Sequence, residues 1–409
     1  MHTNATLALS MIASAILATS CENDNTVTPE INSETHVGFF QNGQPVSTEV
    51  LKSGQTYQLS GGLHIKAGHT LTIEPGVTVE AIDDDNVDYI LIEQGAKIDA
   101  RGTKEQPIVL TSTLKKSGAW GGLHICGKAH TNAGNGSSEI GGAPYGGTDD
   151  ADNSGTIQYV RLEYTGYAFD EEHEANGISF YGVGNGTQVD YCQAFQGADD
   201  GFEFFGGSVN VKHMIATDCN DDSFDWTEGW NGHAQFLLVT QRPASEAGYE
   251  MDCLMECDNN GKNVAATPVS HPVISNITLV GNNSSEEKRG IRLRAGTQVE
   301  IYNAIITGKK NCLTVETVET AKALKDGTSK LQYILSSSEL KSDTLYTNDM
   351  FVQPENNNKT DYTNTLTNNY LGTAEGGLDP KSLNAFFETA AYIGAVPAGN
   401  DWTAGWSKR

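Results

Sequence analysis

The chain has 409 residues, of which 52 are acidic and 26 basic, giving a formal net charge of −26. That balance argues against nucleic acid or an anionic membrane surface as electrostatic partners, and favours a self-repelling surface that recruits divalent cations. With 44 glycines against 11 prolines, an apolar fraction of 38% that is low for a helical globule, and Val, Ile, Thr, Tyr and Phe in short runs, the composition points to strands.

Residues 1–20 read as an export signal. The apolar run Leu7 to Leu17 is too short to span a bilayer as a helix. It ends in Leu17-Ala18-Thr19-Ser20-Cys21, which resembles the lipobox of bacterial lipoproteins, although Met1-His2-Thr3-Asn4 lacks the usual Lys or Arg. Lipidation of Cys21 would hold the protein on a membrane without spanning it. The competing reading is an ordinary secretory signal with an incidental cysteine. Glu22-Asn23-Asp24-Asn25 resembles the acidic export tag of Bacteroidota lipoproteins, which implies the bacterial outer membrane, facing the cell exterior. Residues 21–48 are polar and patternless, as a tether would be. Six further cysteines permit disulfides in an oxidising compartment, with Cys253 and Cys257 the closest pair. Cys126, Cys192 and Cys312 stand in apolar strand-like text that suits buried thiols.

A rhythm of short strands occupies residues 49–340. Leu63-His64-Ile65, Leu71-Thr72-Ile73, Val77-Thr78-Val79, Ile90-Leu91-Ile92 and Ile108-Val109-Leu110 alternate with turns at Gly68, Gly76, Gly95 and Gly102. ADDGFEFFGGSV at 198–209 recurs as NDDSFDWTEGWN at 220–231, a 22-residue offset that maps Asp199 to Asp221 and Phe202 to Phe224. TQVDYCQAFQG at 187–197 recurs 110 residues on as TQVEIYNAIITG, five such periods. A 22-residue unit fits one coil of a right-handed parallel β-helix, while a propeller blade needs about twice that. Stacked at roughly 4.8 Å, equivalent residues form ladders, with Phe202 over Phe224 and Phe204 over Trp226. Residues 341–409 are expected to add a last coil and a capping segment, with Trp402 and Trp406 closing the open end.

The text IEPGVTVEA (73–81), GAKIDARGTKEQPIVLTS (95–112), GADDGFEFFGG (197–207), DDSFDWTEGW (221–230) and YIGAVPAGNDWTAGW (392–406) is similar to a family of surface lipoproteins from Bacteroidota and marine gammaproteobacteria. The resemblance covers nearly the whole mature chain. It implies a right-handed parallel β-helix and a surface location, and brings no reaction or catalytic set. Members often occur beside TonB-dependent transporters, which implies an accessory role in nutrient capture.

The strongest chemical feature is the carboxylate ladder Asp199, Asp200, Glu203 beside Asp221, Asp222, Asp225. Stacked like charges repel unless compensated. Ca²⁺, with six to eight oxygen ligands, would do so; so would protonation, or splaying into solvent at a turn. Asp150 and Asp152, in a stretch matching half of a calcium loop, read equally as a second ion site or as an Asx-rich turn. Trp226, Trp230 and His233 follow the ladder and could supply a polysaccharide ligand with stacking and hydrogen bonds. An enzyme reading, a polysaccharide lyase or a polygalacturonase-like hydrolase, would use Asp199, Asp221, Asp222, His233 and Arg292. His233 and Arg292 depart from the polygalacturonase spacing, and fold analogy alone carries no reaction. Three classes therefore stand: a calcium-dependent binding accessory to uptake, a polysaccharide-cleaving enzyme, and an adhesin or structural surface protein.

Overall fold

Runs of β-branched and aromatic residues, broken where the backbone turns left-handed, form the strands of the computed structural model, which describes residues 37–134, 136–169 and 174–409. Cys21 lies outside the described residues, as do residues 170–173 of an acidic run. Among the described residues, a 15-stranded and a 10-stranded sheet account for nearly all strands, and their pairing through the body is parallel. The protein is an all-β parallel β-helix, as the repeats require.

Each coil gives one strand to the ten-stranded sheet and the rest to the larger one. Early coils place two separate strands there, such as Thr70–Ile73 and Thr78–Ala81. From Gly155–Glu163 onward these fuse into one long strand bent in its middle. The bend falls on Tyr159, Tyr191, His213, Phe236, Asn276, Asn303 and Tyr333, each with φ between 48° and 61°. Left-handed backbone costs a non-glycine residue roughly 1–2 kcal/mol. Ring stacking up the column offsets part of that cost, with Tyr191 lying 4.3 Å from Tyr159 and 4.2 Å from His213 between ring centroids.

The interior is filled by the inward member of each alternating pair. Phe202 is in register with Phe224 and their rings stack at 5.3 Å. Phe204 stacks on Phe180 of the preceding coil and is in register with Trp226, but the following ring stacked on it is Trp230, at 4.2 Å, with Trp226 tilted against Trp230. The indole from the turn is the one free to lie flat. All six described cysteines are buried and free. Cys257 occupies the inward column between Trp226 and Leu293, so the closest pair in sequence forms no disulfide.

The two ends are closed differently from the expectation. Gly38–Gln41 pairs antiparallel on Thr56–Ser60 at the first coil. At the last, the helix Val318–Lys325 buries Ala321 and Leu324 in the core, joined by Leu340, Tyr346 and Phe351. Trp402 and Trp406 do not cap the open end; they lie along the flank, over the left-handed column. Trp406 meets Tyr159 edge-on at 5.6 Å and Trp402 meets His213 at 5.0 Å. The bend turns those rings outward, and they leave an apolar stripe that the C-terminal segment covers. Side-chain amides fasten it coil by coil: Asn303 to Leu378, Gln235 to Glu388, and Gln193 to Lys408 each both donate to and accept from the tail backbone.

Candidate functional site

On the ten-stranded sheet, the residue between the inward apolar side chains of each strand points the other way. Register aligns these residues as one column: Ser179, Glu203, Asp225, Glu256, Arg292, Thr314. The turns entering the same strands bring Asp199, Asp200, Asp221 and Asp222 alongside. Carboxylate oxygens of Asp200, Glu203 and Asp225 all lie within 4.8 Å of one another, as do those of Asp222, Asp225 and Glu256, and those of Asp199, Asp200 and Asp221.

Part of this arrangement is structural. The Asp222 backbone N–H donates to Asp200 Oδ1 at 2.9 Å, and the Cys253 N–H donates to Asp222 Oδ1 at 2.7 Å, so each carboxylate holds the following turn. Asn176 Nδ2 donates to Glu203 Oε2 at 2.7 Å. A basic coil then closes the acidic stretch. Arg292 and Arg294 bind Glu256 at 2.7 and 2.6 Å, Arg294 also binds Asp258 at 2.8 Å, and Lys288 binds Asp252 at 2.7 Å. Among the described residues, Asp199, Asp200, Glu203, Asp221, Asp222 and Asp225 form no ion pair with any Lys, Arg or His. Asp225 Oδ1 is buried with no hydrogen-bond partner.

Burial, reinforced by Glu174 and Asp221, pushes Asp199 up to about 8. Burial and the surrounding carboxylates push Asp200, Glu203, Asp222 and Asp225 well above the usual carboxylate range. The donor set is all oxygen and hard, the kind that selects Ca²⁺ or Mg²⁺ over transition metals. An orphaned buried oxygen amid carboxylates that form no ion pair among the described residues fits such an ion.

The sequence ladder is thus brought together, and Arg292 joins it through Glu256. Other expected residues do not. Trp226 and Trp230 are each 1% exposed, with their indole N–H groups donating to Thr297 Oγ1 and to the Val209 carbonyl. Neither offers a face to a sugar, because strand alternation that sends Asp225 outward sends Trp226 inward. His233 opens a strand of the other sheet, bonded to Asn210 and packed beside Phe386 and Phe387. Asp150 is bound to His130 at 2.6 Å and Asp152 accepts from Ser154, within a turn where Asn153 and Asp149 accept local backbone N–H groups. That pair does not join the cluster.

Sequence reading missed Asp252, Glu256 and Asp258, whose stretch MDCLMECD repeats the earlier pattern 31 residues on instead of 22. It also missed the roof. Ile140, Ala143 and Tyr145 come from the excursion between Cys126 and Gly155, and Tyr145 donates to Glu228 at 2.8 Å. Ala143 and Tyr145 cover Tyr181 and Phe205, the outward rings beside the acids. Among the described residues, Phe169, 37% exposed and edge-on to Tyr167 and Tyr89, is the large ring left open on this side.

Stacked coils carrying an acidic column on one sheet and a fastened C-terminal segment on another define a parallel β-helix protein. The chain belongs to the pectate-lyase-like β-helix domain family, whose model matches residues 43–407. That membership is compatible with a carbohydrate-related protein. No curated protein and no solved structure matches the chain.

Proposed function

We propose that this protein is a lipid-anchored outer-membrane binding protein that captures polysaccharide on the outward face of the ten-stranded sheet through a divalent cation, Ca²⁺. It serves nutrient uptake, alongside a TonB-dependent transporter. The observation that carries the reading is the set of six carboxylates that, among the described residues, form no ion pair, around the orphaned Oδ1 of Asp225. Asp200, Glu203, Asp222 and Asp225 hold the ion, which presents open coordination positions to sugar hydroxyls or carboxylates. Phe169 and Tyr167 supply the ring surface that Trp226 and Trp230 do not. Lipid on Cys21 places that face outside the cell.

Affinity electrophoresis through gels containing soluble plant or algal polysaccharides tests this directly. Migration is expected to slow with Ca²⁺ and to recover with chelator, and Asp225→Asn should migrate as the chelated protein does. Equal mobility across an acidic and neutral polysaccharide panel, with and without Ca²⁺, would overturn the reading. A cleaving enzyme is the second reading, favoured by Arg292 lying two rungs from Asp225 in the same column. It predicts new reducing or unsaturated ends on prolonged incubation, which a binding protein does not generate.

A further inference from the structure

Beside the acidic face, two consecutive coils meet at a turn whose chemistry is independent of any ligand. Val280 is in register with Thr307, so Gly281 faces Gly308 and Asn282 faces Lys309. The glycines are required there, since a Cβ on either would lie 2.4 Å from the carbonyl oxygen of the other. Their close approach seats two polar side chains together in the interior. Asn282 and Lys309 are each 5% exposed. Lys309 Nζ donates to the Met251 carbonyl at 2.8 Å and to Asn282 Oδ1 at 3.3 Å. Asn282 Nδ2 in turn donates to Glu250 Oε2 at 3.3 Å, and the Ser284 N–H donates to Asn282 Oδ1 at 3.3 Å.

We propose that Lys309 and Asn282 join in an intramolecular isopeptide bond, formed by the folded chain itself with Glu250 as the proton relay. The unprotonated Nζ attacks Cγ of Asn282, and the negative charge that develops on Oδ1 meets the Ser284 N–H already aimed at it. Attack brings Nζ onto the carboxamide that Glu250 already contacts, so Glu250 takes the proton released from Nζ in the tetrahedral intermediate and delivers it to Nδ2, its present hydrogen-bond partner. The Cγ–Nδ2 bond then breaks, ammonia leaves, and a secondary amide remains. Carbon, nitrogen and charge balance without any oxidant or reductant, and Glu250 ends as it began.

Three features favour the step over a salt-bridged or idle lysine. Nucleophile and carboxamide are held in contact by the packed turns, which supplies the proximity that bimolecular aminolysis lacks. Burial pulls the lysine down to about 8, against the upward pull of Cys253, Asp252 and Glu250, so a useful fraction is free amine near neutral pH. Nζ also forms no ion pair with any described carboxylate, and its closest contacts are carbonyl oxygens. The product would staple two adjacent coils across the 27 residues that separate them in sequence, next to the acidic face.

Tryptic mapping of the denatured full-length chain is the test. The expected product is a branched peptide linking Asn282 to Lys309, lighter than its two arms by one ammonia, with no cleavage after Lys309. In Glu250→Gln most of the chain should give the two linear peptides, with a lower melting temperature and an unchanged strand-type circular dichroism spectrum. Linear peptides from the wild type, with a Lys309 amine that acetylates once the chain is denatured, would overturn the bond. An undiminished branched peptide in Glu250→Gln would overturn the relay.

Discussion

Without a bound cation, the acidic column should make the protein less stable as pH rises, opposite to the usual behaviour of carboxylates in ion pairs. A carboxyl whose pKa is raised on folding stabilises the folded state fully below its unfolded value, and that contribution disappears as pH climbs through the folded value. For Asp199 the window runs from the ordinary 3.8 to about 8. Ionising it in place at alkaline pH therefore costs on the order of 5 kcal/mol, comparable to the whole stability of many domains. Asp200, Glu203, Asp222 and Asp225 shift in the same direction. Melting temperature in chelator should accordingly fall from about pH 4 to about pH 8, and Ca²⁺ should flatten that decline by binding the ionised set. Asp225→Asn keeps the shape and removes one charge at the orphaned oxygen. It should melt several degrees higher than wild type in chelator at alkaline pH, and should no longer respond to Ca²⁺. Differential scanning fluorimetry across a pH series, with Ca²⁺ or chelator, measures both. A wild-type melting temperature that is flat in chelator over this range, or a Ca²⁺ response surviving in Asp225→Asn, would refute the reasoning.

Two further outcomes are expected. Phe224→Ala empties an inward rung stacked on Phe202 and should cost about 3–5 kcal/mol in urea denaturation; a loss under about 0.5 kcal/mol, typical of a surface position, would place that ring outside the core. Cys21→Ser should move the protein from the membrane to a soluble fraction, and wild type found soluble, with no lipid by mass spectrometry, would remove the anchor.

The solenoid was legible in the sequence because its forces are local and periodic. Alternating apolar residues, turn glycines and the 22-residue echo from Asp199 to Asp221 suffice to stack one coil on the next, and stacking places the carboxylates together. The same alternation already excludes Trp226 from the surface once Asp225 is outward. What sequence could not decide was anything that depends on contacts between distant coils. Glu256, and with it the ion pair that ties Arg292 to the column, entered the site only when the longer turn before Met255 closed in space, since an insertion breaks the period but not the register. Trp230 and His233 were assigned by proximity along the chain, yet a turn sends one into the core and the other to a different sheet. Trp402 and Trp406 signalled that some apolar surface needed covering. Only the tertiary structure showed which: the stripe of outward rings that the left-handed bends create along the flank, and that no single repeat exhibits by itself.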